Sequence, residues 1–197
     1  MSVAIRPAAV TDAEGMLDIY RPIVLSTAIS FELVPPTLAD FRERIAVYSR
    51  TAPWLVCERD GKLAGYSYAT PFRARPAYQW SIEVTVYVSD ECQRKGVARA
   101  LYSLLLDLLA RQGFMTAVGV IVLPNAASVA LHESLGFSCV GAFPRIGFKH
   151  GAWHDTGWWI KPLCSSYGTP CVLGSPAEIL EVANREGLFK QAELSVR

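Results

Sequence analysis

The sequence predicts a mixed α/β domain in which a twisted, mostly antiparallel sheet is flanked by helices. Three observations support this fold class. Strand-like runs alternate with helical runs along the first 163 residues, two pairs of strand-like runs are joined by tight turns, and helix caps occur where the pattern changes. Strands that alternate with helices and also form hairpins imply a mixed sheet with helices on both faces.

The first elements are a short strand and two capped helices. Residues 3–6 predict a short strand. Residues 11–14 and 37–40 are capping boxes, in which a hydroxyl and a carboxylate satisfy unpaired backbone N–H groups. These motifs predict helices that end near residues 25 and 50.

A hairpin and a further strand follow. Residues 54–59 and 62–70 alternate on either side of Asp60-Gly61, a dipeptide that favours the tight turn of a two-stranded hairpin. Residues 82–88 predict the next strand.

The second half of the domain predicts two helices, a buried strand and a last hairpin. A leucine-rich helix is expected over residues 95–111, with Gly113 as its C-cap. Residues 116–123 predict a buried strand and residues 126–135 a helix. Residues 138–161 predict the last hairpin, turning at His150-Gly151.

The composition changes after residue 163. Residues 164–175 contain glycine, proline and serine, which predicts a linker, and Pro176 then begins a short amphipathic helix. We therefore divide the chain into a domain of residues 1–163 and a tail of residues 164–197. We expect the tail helix to pack on the domain or on a dimer partner, because it is too short to hold a core of its own.

Length, charge and cysteine content exclude several functional classes. A chain of 197 residues has room for one ordinary domain with a substantial core, and its net charge of +1 gives no basic field for nucleic acid. The five cysteines form no C-x-x-C pair, so neither zinc nor a disulfide framework is indicated and a reducing cytoplasm fits best. We expect neither a signal peptide nor a membrane span, because residues near the start show no charged-then-apolar pattern and no apolar run reaches the roughly 18 residues that a span needs.

The loop of residues 93–98 is the most informative stretch. It lies between a predicted strand and a predicted helix, where the first helical N–H groups have no internal partner and the helix dipole favours an anion. Gly96 should let a phosphate approach the backbone, and Arg94 and Lys95 supply positive charge. Taken alone, the string is a weak signal, and a solvated basic turn that caps a core helix is the commoner explanation of such a string.

Glu83 is the candidate general base. The carboxylate lies between Ile82 and Val84 on a predicted strand, and the period of two places it on one face with Thr85 and Tyr87. Apolar surroundings would raise its pKa into a range useful for accepting an amine proton. The alternative is an exposed polar strand face.

Several motifs resemble those of known enzymes. Residues 93–98 resemble the pyrophosphate-binding loop of the GNAT superfamily of N-acetyltransferases, and residues 124–137 resemble its second cofactor motif. Residues 72–78, 83–89 and 147–155 resemble, in the same order, blocks of the phosphinothricin and methionine sulfoximine acetyltransferase family.

The resemblance implies a GNAT fold and an enzyme that moves the acetyl group of acetyl-CoA to the α-amino group of a small amino-acid analogue. The analogues are phosphinothricin, methionine sulfoximine and methionine sulfone. Backbone groups of the strand around residue 86 would bind the pantetheine arm, while the valine side chains there are more simply core. The cofactor-binding residues implied are Val86, Tyr87, Val88, Arg94, Lys95, Gly96, Val97, Ala98, Arg99, Asn125 and Ser128.

The resemblance also implies roles in catalysis and acceptor binding. Glu83 falls on the family's proposed catalytic glutamate, and His132 stands where many members of the superfamily have a tyrosine that protonates the leaving thiolate. His132 could instead be a core residue, and Asn125 could be a helix N-cap as well as a cofactor contact. The implied acceptor contacts are Phe31, Arg73, Arg75, Tyr78, Thr85 and Lys149.

The remaining expectations concern metals, assembly and alternative functions. His150 and His154 have no third ligand nearby in sequence, so no metal is expected. The family resemblance and the aromatic residues of the last hairpin favour a homodimer. The acceptor could instead be another small amine or a protein N-terminus, or the chain could be a non-catalytic module that binds acyl-CoA.

Overall fold

A seven-stranded sheet forms the centre of the computed structural model, which describes residues 2–197. The strands are β1 (Val3–Pro7), β2 (Trp54–Arg59), β3 (Lys62–Pro71), β4 (Ser81–Val88), β5 (Thr116–Leu123), β6 (Ser138–Lys149) and β7 (Ala152–Pro162). The helices are α1 (Ala13–Ser26), α2 (Leu38–Tyr48), α3 (Val97–Gln112), α4 (Ala126–Ser134), α5 (Pro176–Arg185) and α6 (Leu188–Glu193). The spatial order of the strands is β1-β2-β3-β4-β5-β7-β6.

The sheet is antiparallel except at its centre, where β4 and β5 run parallel. The connection between these two strands contains α3, as a parallel crossover requires. The predicted mixed, mostly antiparallel sheet flanked by helices is therefore confirmed. The structure adds that the single parallel pair lies between the two antiparallel halves.

Two hydrophobic clusters lie on opposite faces of the sheet. In one cluster, buried residues of α1 and α2 pack against residues of β2 and β3, and Met16, Phe41 and Tyr66 are among its members. The other surrounds α3, whose leucines pack on the sheet and whose outer side is covered by α5 and α6. Both helix layers are thus built from amphipathic runs that bury their apolar sides.

Local signals explain most element boundaries, with one correction at α1. The Thr37–Asp40 capping box forms as predicted, with the Asp40 N–H donating to Thr37 Oγ1 and the Thr37 N–H donating to Asp40 Oδ2. The predicted box at Thr11 was wrong. The Asp12 carboxylate instead accepts from the Ala9 N–H and binds Arg6, so α1 begins through a short 3₁₀ turn.

α3 begins at Val97, two residues later than predicted. Arg94 and Gly96 have left-handed backbone conformations, with φ of 59° and 86°, and such residues cannot belong to a right-handed helix. The helix ends as predicted at Gly113, whose φ is 102°. The loop before α3 is therefore shaped by its own backbone, and this shape matters for anion binding.

The last hairpin leaves one long strand at the edge of the sheet. β6 pairs only with β7 among the described strands and is exposed along nearly all its length. Trp159 on β7 is buried in the core, and its neighbour Trp158 points the other way, between the rings of Phe72 and Phe143. Adjacent residues of a strand point to opposite faces of the sheet, and these two tryptophans do so.

The tail folds back over α3. It contains the predicted α5 and also α6, a second helix that the sequence did not predict. Phe189 is buried, Arg111 of α3 forms an ion pair with Glu186, and α6 packs on β1, where the Ile5 N–H donates to Glu193 Oε1.

Two further findings concern the chain's chemistry. All five cysteines are free thiols. Among residues 2–197, every helix is too short or too polar to span a bilayer.

Candidate active site

The site begins where β4 and β5 separate. The two strands pair in parallel only from Ser81 with Thr116 to Glu83 with Val118. Beyond these pairs a cavity of about 290 Å³ opens between the strands, bordered by Val84 and Val86 on one side and by residues 120–122 on the other. Because β4 still pairs with β3 along this stretch, its opposite edge is left available to bind an extended group.

A groove of about 700 Å³ continues from this opening to the N-terminus of α3. Every predicted cofactor-binding residue except Lys95 borders the groove. Within the described residues, none of the backbone N–H groups of residues 94–99 donates a hydrogen bond to another group of the chain. Unpaired N–H groups at a helix N-terminus, with left-handed residues before it, form a concave site suited to a diphosphate.

The reason for the glycine at position 96 differs from the one expected. A side chain at Gly96 would not point into the groove, because an added Cβ atom would lie 2.5 Å from the carbonyl oxygen of Ser195 in the tail. Its left-handed φ of 86° is a second reason for glycine. Gly96 therefore allows a close approach of the tail, whereas the groove is bounded by the N–H side of the loop.

Glu83 lies at the point where β4 and β5 stop pairing. Its half-buried side chain borders the cavity, and Thr85 follows it on the same side of β4. Burial raises the pKa of the Glu83 carboxyl above its ordinary value, and the positive charge of Arg73 opposes that rise. A carboxylate of raised pKa beside a cavity is suited to accept a proton from an ammonium group.

His132 is buried on α4 and shares the cavity with Glu83. Its Nδ1 lies 2.8 Å from the Ser128 carbonyl oxygen, so Nδ1 carries the proton, and its Nε2 lies 3.3 Å from the Tyr102 hydroxyl. Burial lowers the pKa of His132, which favours the neutral ring, while the bond to Ser128 opposes this. The proton of the neutral ring is thus held by the helix backbone, and Nε2 carries no proton.

Tyr102 is the site residue that the sequence analysis missed. It lies on α3, its hydroxyl donates to the Val84 carbonyl oxygen at 2.9 Å, and it borders the cavity beside His132. Burial raises the pKa of Tyr102 well above its ordinary value, so the phenol keeps its proton. In sequence, a tyrosine in a leucine-rich helix predicts only core packing. Its contact with His132 exists because α3 and α4 pack together in the folded chain.

Asn125 and Ser128 link the cavity to the groove, since both border both spaces. The Asn125 side chain accepts from the Ser128 N–H at 3.1 Å and so caps α4. The expected N-cap role is confirmed, and the position of Asn125 leaves a cofactor contact open to it.

Five of the six predicted acceptor residues lie in three different places. Phe31 and Thr85 border the cavity. Arg73 lies over the rings of Phe72 and Trp158, close enough to Glu83 to lower its pKa. Arg75 and Tyr78 are exposed and border neither the cavity nor the groove.

Lys149 requires a correction. The sequence predicted an anion contact for its ammonium group, but this group is buried and donates to the Ser30 carbonyl oxygen at 2.7 Å. Burial lowers the pKa of Lys149, and the negative charge of Glu32 opposes that change. Lys149 therefore anchors the loop that carries Phe31, and the ring of Phe31 lies directly against Gly147 of the same hairpin.

A second chamber of about 330 Å³ adjoins the first at Glu83 and Thr85. It is bordered by aromatic residues of α1, α2 and β3 and by an ion pair between Arg44 and Glu32. The sequence analysis did not predict this chamber, since it forms only when the loop after α1 meets α2. The Glu83 carboxylate thus lies between two spaces that a small molecule could enter.

The comparisons with known proteins agree with this geometry. The acetyltransferase (GNAT) domain family matches residues 5–158. A phosphinothricin N-acetyltransferase of Streptomyces viridochromogenes is 42% identical over 157 residues, which are 80% of this chain and 86% of that protein. An L-methionine sulfoximine/L-methionine sulfone acetyltransferase of Pseudomonas aeruginosa is 34% identical, covering 79% of this chain and 91% of that protein.

Solved structures show the same fold. The crystal structure of a phosphinothricin acetyltransferase from Sinorhizobium meliloti in complex with AcCoA superposes with a TM-score of 0.83 at 34% identity, covering 87% of this chain and 94% of that one. An N-acetyltransferase from Staphylococcus aureus superposes with a TM-score of 0.81 at 28% identity, covering 83% of this chain and all of that one.

The separated strands, the free N–H groups before α3 and these matches define an acetyltransferase of the GNAT superfamily. Within it, the chain belongs to the family of phosphinothricin and methionine sulfoximine N-acetyltransferases.

Proposed function

We propose that this enzyme transfers the acetyl group of acetyl-CoA to the α-amino group of a small amino-acid analogue of the phosphinothricin, methionine sulfoximine or methionine sulfone type. The observation that carries the proposal is the position of Glu83. Its half-buried side chain stands where β4 and β5 part and borders both the cavity and the second chamber.

The groove suits the donor. Acetyl-CoA brings an activated thioester, a long pantetheine arm and a diphosphate. The free N–H groups of residues 94–99 fit the diphosphate, and the unpaired edge of β4 around Val86 and Tyr87 fits the amide groups of the arm. A backbone N–H in this part of β4 would stabilise the negative charge that develops on the thioester oxygen.

Glu83 would accept the proton that the acceptor's ammonium group must lose before it can attack. The raised pKa favours this role, because a carboxylate of ordinary pKa is a weaker base. The leaving thiolate needs a proton in return. The proton of neutral His132 is held at Nδ1 by the Ser128 carbonyl, so we assign the expected acid function to the buried Tyr102 phenol beside it. The thiolate takes the phenol proton, and solvent then restores it.

Acceptor recognition would come from Phe31 and Thr85 in the cavity and from the positive charge of Arg73. The exposed Arg75 and Tyr78 would take part only if a second subunit closed the site around them. We propose such a homodimer, and a cytoplasmic location in keeping with the free thiols.

The surface of the last hairpin supports the homodimer. Phe143, Ile146, Phe148 and Trp153 are each more than half exposed on β6 and β7, next to an unpaired sheet edge. The rings of Phe148 and Trp153 lie together. Exposed aromatic residues are typical of interface cores, and a long free edge strand is usually covered in a native protein.

An acceptor panel tests the proposal. Release of the coenzyme A thiol is measured with phosphinothricin, methionine sulfoximine, methionine sulfone, unrelated small amines and a peptide with a free N-terminus. We expect turnover with the amino-acid analogues at far higher kcat/KM than with the other amines. A higher kcat/KM with the peptide or with an unrelated amine would show that the proposed acceptor class is wrong. Coenzyme A binding without turnover of any amine would indicate a non-catalytic binding module.

A further inference from the structure

The tail reaches the anion-binding loop. After α6, the Arg197 N–H donates to the Lys95 carbonyl oxygen at 2.8 Å, and the Ser195 carbonyl oxygen lies against Gly96. Val196, between them, packs against the hydrophobic cluster around α3. Three consecutive residues therefore contact the main chain of the loop on the side away from the groove.

Further contacts hold the tail in place, and the loop that the tail contacts has an unusual backbone conformation. Within α6, Phe189 is buried and Glu193 accepts from the Ile5 N–H of β1 at 3.0 Å. The loop, in turn, holds left-handed conformations at Arg94 and Gly96, and such conformations are costly for a non-glycine residue like Arg94. A backbone held in this way needs surrounding contacts to keep it in place, and residues 195–197 supply them.

The GNAT domain match ends at residue 158, so the contacting segment lies outside the shared domain. The loop it contacts is nevertheless the one whose N–H groups face the groove. A displacement of the Lys95 carbonyl or of Gly96 would rotate the adjoining peptide groups and misdirect those N–H groups.

We propose that residues 195–197 are a positioning segment of the donor site, which holds the loop of residues 93–98 in the shape that binds the diphosphate of acetyl-CoA. The segment acts through the loop backbone and touches neither the acetyl group nor the acceptor. The inference rests on the proposed function for the identity of the donor.

The test uses two donors and two variants. Deletion of residues 195–197 removes the whole contact, and Arg197→Pro removes the N–H that donates to Lys95 while keeping the chain length. The donors are acetyl-CoA and S-acetylpantetheine, which carries the same thioester and arm without the diphosphate. Leu194→Ser is the matched control, because this side chain directly before the segment is 87% exposed.

We expect both variants to raise the KM for acetyl-CoA and the Kd of coenzyme A by about 3- to 10-fold, the size typical of one lost hydrogen bond. The acceptor KM, and kcat/KM with S-acetylpantetheine, should stay at their wild-type values. Leu194→Ser should match the wild type throughout.

Two results would overturn the proposal: unchanged coenzyme A affinity in both variants, or equal losses with the two donors, which would indicate general damage to the fold. Failure of the proposed function would look different, since the wild type itself would then bind no coenzyme A or turn over neither donor.

Discussion

Glu83 and Val118 form the last parallel pair between β4 and β5, and the cavity opens directly beyond them. The backbone that ends the pairing therefore also places a carboxylate at the vertex of the opening. The cavity continues into the groove that ends at α3, and the Glu83 side chain also borders the second chamber, beside α2. A base located there can serve an amine that meets a thioester between the strands.

Replacing Glu83 by Gln should lower kcat by roughly 10²- to 10⁴-fold, the range typical of a lost general base. The amide keeps the size of the side chain but cannot accept the ammonium proton. Calorimetry should find little change in coenzyme A affinity, because the groove is separate from the carboxylate. Wild-type turnover in this variant would remove Glu83 from the mechanism.

The pH dependence of the reaction should follow the Glu83 carboxyl. Because the active form is deprotonated, kcat/KM falls as the pH drops through the pKa of this group, which burial raises above its ordinary value. Arg73 opposes that rise, so Arg73→Gln should move the acidic limb to higher pH. Arg50→Gln removes an equal charge at an exposed position and should leave the limb in place, since Arg73 is the charged group that lowers the Glu83 pKa. If the acidic limb of the kcat/KM profile stays at the same pH in Arg73→Gln, the group that titrates is not Glu83.

Gly147→Ala should disturb acceptor binding selectively. The added methyl group would overlap the Phe31 ring and push it from its place beside the cavity. We expect the acceptor KM to rise roughly tenfold, within the range of about 1–3 kcal/mol for overpacking, while the KM for acetyl-CoA stays constant. Gly168→Ala, where an added methyl group meets no neighbour within 4 Å, is the control. Equal acceptor KM values for Gly147→Ala and Gly168→Ala would argue against a role for Phe31 in acceptor binding.

Trp153→Glu should weaken the proposed homodimer. Trp153 is 61% exposed and lies 5.3 Å from the ring of Phe148, so a charge there would be buried in the proposed interface. Light scattering should give twice the chain mass of 21.6 kDa for the wild type and a shift toward the monomer for the variant. Val172→Glu, at a position 95% exposed in the tail, should remain dimeric. A wild-type monomer at micromolar concentration would refute the homodimer.

The parts of the fold that were predicted correctly depend on neighbours in sequence. The Thr37 cap, the Asp60-Gly61 turn and the Gly113 C-cap each act within a few residues, so their signals are local. The capping box predicted between Thr11 and Glu14 did not form because residues 10–12 make a 3₁₀ turn instead, in which the Asp12 carboxylate accepts from the Ala9 N–H and from Arg6 of β1. Long-range contacts decide such cases.

The site shows the same distinction. Glu83 could be predicted as a candidate because a carboxylate in an apolar strand is visible in sequence, and Asn125 because its motif resembles one of the GNAT superfamily. Tyr102 was missed and Lys149 misassigned because their roles depend on which distant groups their side chains meet, His132 in one case and the Ser30 carbonyl in the other. The separation of β4 from β5 is likewise a property of the assembled sheet.

The central claim is acetyl transfer to an α-amino group with Glu83 as the base. The most direct test is a mass-spectrometric assay in which methionine sulfoximine and acetyl-CoA are incubated with wild-type enzyme and with Glu83→Gln. The account predicts N-acetylated product in a 1:1 ratio with released coenzyme A for the wild type, and a rate lower by at least about 100-fold for the variant. Acetylated product at equal rates with both enzymes, or none with the wild type across the analogue panel, would contradict it.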